Sequence, residues 1–275
     1  MTKSNERACK SKQKENKMNI VVFDTETAGC KTQTLLNVGY KVVDLNPITA
    51  ESKTLVQRDY IVRAVLQNEL FMLNDMFVGE EKLLQLRANV ERGGAVLRTI
   101  EQIFAQMRAD LMRYKCIAGY AYNSAFDVDK FARTATQYGI DNPLDGLPVF
   151  DLWGMAYEFI CKTDDYIAFC KEYQMLTESK RFFKTSVEGV TAFLTGNPNF
   201  VEEHTALSDT GWELKILQEC VKRGANPFGA YDHGFIPSGY VFHKTIVTPD
   251  GEEIALEYTR TARKWSEEGI TEFIG

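Results

Sequence analysis

The segment Asn19-Ile20-Val21-Val22-Phe23-Asp24-Thr25-Glu26-Thr27 constrains the fold more than any other stretch of this chain. Its β-branched apolar run reads as a strand buried on both faces, and such strands lie at the centre of a sheet covered by helices on either side. The run then passes straight into charge. Side chains two apart on a strand share a face, so Asp24 and Glu26 project the same way, roughly 7 Å apart by strand rise, with room between them for a hard divalent cation. Acidic triplets are common in a chain with 38 Asp and Glu, and a strand ending in solvent would use the same residues as surface charges.

Two other segments carry acids in defined settings. In the segment from Ala118 to Phe131, an alternating strand gives way at Asn123 to a helical pattern. Asn123 is the expected N-cap, which puts Asp127 in the first helical turn, near the positive end of the helix dipole, with Phe131 one turn further on. Asp129 falls on a different face. In the segment Glu202 to Leu214, His204 precedes a helix whose Leu207, Leu214, Leu217 and Val221 form one buried stripe. His204 and Asp209 are five apart, about 140° round a helix, so they converge only if His204 lies at or before the helix start. We therefore place His204 on a loop. His233 and His243 have no comparable setting and read as surface or packing residues.

Together, FDTET at 23–27, YNSAFD at 122–127 and HTALSD at 204–209 resemble the three motifs of the DEDDh (DnaQ-like) 3′-5′ exonuclease family, which includes the proofreading exonuclease of bacterial replicative polymerases and ribonuclease T. The resemblance spans residues 18–225. Asn37-Val38-Gly39 and Pro148-Val149-Phe150-Asp151 agree with it. It implies that Asp24, Glu26, Asp127 and Asp209 hold two divalent metal ions and that His204 is the general base. Thr25, Thr27, Asn123 and Phe126, interleaved with these residues, are the expected substrate contacts. A tyrosine in place of His204 would mark the sister subgroup. The chain departs from the family pattern at Cys30, which follows Gly29 where a large apolar residue often wedges beside the terminal base, and in inserts near 62–92 and 155–183.

The residue types suit the chemistry. Phosphodiester hydrolysis needs an in-line nucleophile and positive charge to absorb the negative charge that develops on the phosphoryl oxygens, and a pair of metal ions supplies both. Oxygen ligands select Mg²⁺ or Mn²⁺ over zinc. An unperturbed imidazole titrates near pH ~6.5, which suits a general base. The expected reaction releases 5′-mononucleotides from a 3′ end, with single-stranded DNA the favoured substrate and a DNA polymerase a candidate partner. RNA 3′-end trimming, or a silent nucleic-acid-binding module that keeps the fold, are the alternatives.

Net charge is −6, which excludes a broad electrostatic grip on nucleic acid, so binding must be local. Lys180, Arg181 and Lys184 are candidates for a backbone track. The six cysteines form no CxxC pair and fit reduced thiols in a cytoplasmic setting. No segment reads as a signal peptide or a membrane span.

The expected fold is α/β, a ribonuclease-H-like mixed five-stranded sheet flanked by helices. Strands are expected at 19–25, 33–45, 52–61, 116–122 and 147–152. Helices are expected at 95–113, 157–173 and 186–194 and in the segment after His204. Three regions are expected: a basic, disordered arm at 1–17, the exonuclease domain at 18–225, and a C-terminal extension at 226–275. The extension carries a hairpin at 239–260 that turns at Pro249-Asp250-Gly251.

Overall fold

A computed structural model describes residues 18–28, 34–68, 79–177, 182–231, 241–247 and 253–259. Strand β1 (Met18–Ala28) is the central strand that the apolar run demanded. It pairs antiparallel with β2 (Thr34–Leu45), which pairs antiparallel with β3 (Ser52–Val62). On its other side β1 pairs in parallel with β5 (Ala118–Ala121), and β5 in turn with β6 (Val149–Asp151). With β4 (Val96–Arg98) at one edge, the sheet order is β4-β3-β2-β1-β5-β6, and of these β2 alone runs against the rest. Apart from β4, this is the ribonuclease-H-like arrangement expected from the sequence.

Among the described residues the sheet has six strands rather than the expected five. The sixth, β4 (Val96–Arg98), pairs in parallel with β3 at the edge. Val96, which the helical spacing assigned to a helix, lies in this strand with its side chain exposed. The helix begins only after Thr99, whose side chain accepts from the Gln102 amide while Gln102 reaches back to the Thr99 amide. That reciprocal cap sets the start of α3 (Ile100–Tyr114).

Period-two burial sorts the strands between two cores. On one face Val21, Phe23, Val38 and Tyr40 pack under α3 and α4 (Ser124–Tyr138), with Phe131 edge-on to Phe23 at 5.7 Å and stacked on Phe104 at 5.2 Å between ring centroids. On the other face Ile20, Val22, Val43 and Tyr120 pack under α5 (Leu152–Ala156), α7 (Val187–Thr195) and α8 (Ala206–Lys222). Between α5 and α7 the chain makes one π-helical turn (Tyr157–Cys161) and then α6 (Asp164–Glu172). The insert after β3 supplies the short α1 (Arg63–Leu66) and α2 (Gly79–Glu91).

Helix α8 lies very close to the sheet at one point. A Cβ on Gly39 would meet backbone atoms of Ala206 and Leu207 at 2.2 Å, so only glycine permits the approach. Beside it Asn37, fully buried, donates to Asp59 Oδ1 (2.6 Å) and the Tyr60 carbonyl (2.9 Å), and accepts the Ala206 amide of α8 on its own Oδ1 (2.9 Å).

After α8, Phe228 meets Phe150 and Tyr231 meets Phe159 edge-on, while the Tyr120 hydroxyl donates to the Pro227 carbonyl. Strands β7 (Val241–Val247) and β8 (Glu253–Thr259) form a separate antiparallel pair, the expected hairpin; its turn at 249–251 lies outside the described residues, as do the arm at 1–17 and Cys30. Among the described residues no helix is long and apolar enough to cross a membrane.

Replacing Gly39 with alanine would force α8 off the sheet. The expected loss is about 3 kcal/mol of unfolding free energy or more, read by urea denaturation, since overpacking against backbone cannot relax by rotamer change.

Candidate active site

Asp24 and Glu26 project from the end of β1 on the face that carries α8. Their cross-strand partners are Gly39 and Asn37, the two residues that dock that helix. Immediately beyond Glu26 the β1–β2 register slips by one residue, a bulge at the rim of the sheet. The close approach at Gly39 therefore brings the first turn of α8, with Asp209, over the two strand carboxylates.

His204 stands two residues ahead of α8, as its spacing from Asp209 required. Its backbone is left-handed (φ 52°) and its side chain exposed. Glu26, His204 and Asp209 each offer a ligand atom, and the three atoms lie within 4.8 Å of one another. Residues 178 positions apart in sequence thus share one small volume.

Asp127 enters from the other helical layer. It sits in the first turn of α4, almost wholly buried, and its Oδ1 accepts both the Thr25 amide (3.0 Å) and the Thr25 hydroxyl (2.6 Å). Thr25 spends both donors there, and so ties Asp127 to the strand segment between Asp24 and Glu26.

Asn123 does occupy the position before α4, but its side chain makes no capping bond. Its backbone is left-handed (φ 58°), which turns the side chain out to solvent. Asp151 Oδ1 caps instead, accepting the Asn123 amide (2.9 Å), the Ser124 amide (3.4 Å) and the Trp153 amide at the start of α5 (2.9 Å). Phe126 is half-buried with the Lys130 ammonium 4.7 Å from its ring centroid, and Thr27 is half-buried at the strand end. Asp129 pairs with Lys130 and Arg133, away from the cluster. Lys184 is half-buried, while Lys180 and Arg181 lie outside the described residues.

Two charged residues at the site escaped the sequence reading. Glu213, one turn beyond Asp209 on α8, is buried (2% exposed), and its Oε1 accepts the Tyr122 amide at 2.9 Å. An acid beside Leu214 and Leu217 in a buried stripe was the available signal. Lys82, from the inserted helix α2, bonds Glu26 Oε1 at 3.2 Å and also donates to the His204 carbonyl. Nothing local to Lys82 announces a partner 122 residues away. Gln85 donates to the Glu203 carbonyl (3.1 Å) and Asn89 to Asp59 Oδ2 (3.1 Å). The spacing 82, 85, 89 is one helical face, so α2 turns a polar stripe toward the His204 segment while Leu83 and Leu86 enter the core.

The crowding of acids dominates the electrostatics. Burial, then Asp127, Glu213, Glu26 and Asp209, holds the Asp24 carboxyl well above the usual range. Burial lifts Asp127 from 3.8 to about 7 against the hydrogen bonds from Thr25. Asp209 rises to about 8 through burial and the nearby Glu202 and Glu26. Glu202 rises to about 7 through burial and Glu188. Asp209 Oδ1 and Glu213 Oε2 are buried with no hydrogen-bond partner among the described residues. Oxygen-rich, short of cations and with orphaned acceptors, the cluster fits a hard divalent ion.

No family model matches the sequence, and no curated protein matches it. Among solved structures the chain is similar to the nuclease domain of 3'hExo, a DEDDh family member, bound to rAMP. The match covers 77% of this chain and 96% of that one, at 12% sequence identity and a TM-score of 0.47.

Two outcomes are expected. A carboxyl group whose pKa is higher folded than unfolded takes up a proton on folding, so its contribution to stability falls as pH rises between the two values. In EDTA, Tm should therefore drop from about pH 5 to about pH 8, the window set by Asp127, Asp209 and Glu202, and added Mn²⁺ should lessen the drop; a flat or rising Tm contradicts the geometry. Lys82→Met should speed amide exchange across 202–206 about 10-fold, the value of one charge-assisted hydrogen bond, in hydrogen-exchange mass spectrometry.

Proposed function

We propose that this protein is a metal-dependent 3′-to-5′ exonuclease that releases 5′-mononucleotides, with single-stranded DNA as its principal substrate. The observation that carries the reading is the convergence of Glu26, His204 and Asp209 at one end of the central strand, where the charge of Glu26 also bears on Asp24 and Asp127. A carboxylate cluster beside an accessible imidazole is what hydrolysis of a phosphodiester by water calls for.

In this mechanism Asp24, Glu26, Asp127 and Asp209 hold two divalent ions, Mg²⁺ or Mn²⁺ given the oxygen donors. When bound, the ions lower the pKa of water and offset the charge on the leaving 3′ oxygen. His204, exposed at the edge of the cluster, accepts the proton of the attacking water at an imidazole nitrogen. Thr25 fixes Asp127 through two hydrogen bonds, so that carboxylate pays little orientational entropy when it binds an ion. Thr27 at the strand end, with Asn123 and Phe126 at the start of α4, flank the acids and would meet the terminal nucleotide. Lys82 would reach a phosphate oxygen from the position where it now meets Glu26.

Four free thiols among the described residues, Cys116, Cys161, Cys170 and Cys220, support a reducing, cytoplasmic setting. We infer residues 18–225 to be the catalytic body and 226–275 an extension of it.

The test is digestion of 3′-labelled single-stranded DNA in Mg²⁺. EDTA or Asp24→Ala is expected to reduce cutting to background, and His204→Ala to slow it about 10²- to 10⁴-fold, the usual worth of a general base. Wild-type rates from the Asp24→Ala protein would remove the mechanism. Matched single-stranded DNA, duplex with a mismatched 3′ end, and RNA, compared by kcat/KM, decide the substrate; RNA cleaved fastest would replace proofreading-type DNA hydrolysis with 3′ trimming.

A further inference from the structure

We propose that Glu213 is a fifth acidic member of the metal site, holding a divalent cation directly or through a coordinated water from beneath the four acids of the sequence motifs. The proposal rests on the metal-dependent reading above.

Glu213 and Asp209 are one helical turn apart on α8, and so face the same way, toward the sheet end that carries Asp24. Glu213 is anchored at one oxygen only. Its Oε1 accepts the Tyr122 amide, where β5 leaves the sheet just ahead of the α4 turn that bears Asp127. Its Oε2 is buried with no hydrogen-bond partner among the described residues, as is Oδ1 of Asp209. Two orphaned acceptors on adjacent turns of one helix, in a protein whose buried polar atoms are otherwise mostly paired, point to a ligand that supplies positive charge or donors.

A purely structural role does not account for the residue type. Satisfying the Tyr122 amide needs one neutral acceptor, which a glutamine would provide without burying an anion. A carboxylate is costly to bury as an anion unless a cation or donors offset its charge. The charges that bear most on Glu213 are those of Asp127, Asp209 and Glu202, all acidic, so its immediate surroundings raise that cost. Asp24 is pushed by Glu213 in turn. A cation held beside Glu213 would turn the neighbouring negative charge from a cost into part of what binds it.

Mn²⁺ binding by isothermal titration calorimetry to the full chain, stripped of metal beforehand, tests the assignment in wild type, Glu213→Gln and Asp24→Asn. Glu213→Gln keeps the shape and the acceptor for Tyr122 but removes the charge. The expected result is Mn²⁺ affinity lowered about 10- to 100-fold, the range for groups that support a metal's ligands, with the metal-free Tm unchanged or raised. Unchanged affinity in Glu213→Gln, alongside a large loss in Asp24→Asn, overturns the role of Glu213 and leaves the exonuclease reading standing. Failure of the wild type to bind Mn²⁺ overturns both. Should Glu213→Gln not fold, Glu213→Asp draws the same charge back by one methylene; weakened Mn²⁺ binding there supports the proposal, and undiminished binding overturns it.

Discussion

The hydrogen bond from the Ala206 amide to the Asn37 side chain fixes the site, because His204 lies just before Ala206 and Asp209 one turn after it. A helix N-terminus leaves four amides without partners, and here the Thr205 side chain satisfies none of them. Asn37 takes one on its carbonyl oxygen and spends its amide group on Asp59 and Tyr60, so a single buried side chain joins β2, β3 and α8. Gly39, two residues along on the same face, removes the Cβ that would hold the helix away. With α8 seated there, Asp209 and Glu213 are delivered over β1, and His204 is left just outside the helix.

The local settings of Asp24, Glu26, Asp127 and His204 were legible because each stands at a junction that pattern identifies: an apolar strand running into charge, a strand turning into a helix, and a histidine just ahead of an amphipathic helix. Their mutual approach was legible only as a resemblance, since nothing local brings residue 26 to residue 204. β4 was not readable. Three residues with an exposed Val96 carry almost no period, and the spacing from Val96 to Ile100 imitates a helix that in fact begins after the Thr99 cap. Asn123 looked like a cap because asparagine commonly caps, yet asparagine also tolerates the left-handed backbone, and that second property is the one used. Asp151 then serves the helix from another strand. Glu213 was hidden in a stripe whose leucines explained the helix without it.

Repulsion among the acids works against the fold, and the fold tolerates it through strong bonds placed around the cluster. Asp127 is held by two donors from Thr25, Glu213 by the Tyr122 amide, and α8 by Asn37. Those donors belong to backbone or to neutral side chains and leave the negative charge in place, while Lys82, ion-paired with Glu26, offsets only part of it. The site is thus rigid in position and unsettled in charge, which is the condition for a strong but exchangeable hold on small cations.

The polar stripe of α2 ties the insert to the polypeptide that bears the imidazole. Lys82 and Gln85 grip the carbonyls of His204 and Glu203, while Asn89 reaches, by way of Asp59 and Asn37, the start of the following helix. Stretches more than a hundred positions apart along the chain therefore form one cooperative unit, and neither opens without loosening the other. A group that enters between them would be sensed by both at once, so an element looking like an ornament on the sheet would share in setting the place of the imidazole.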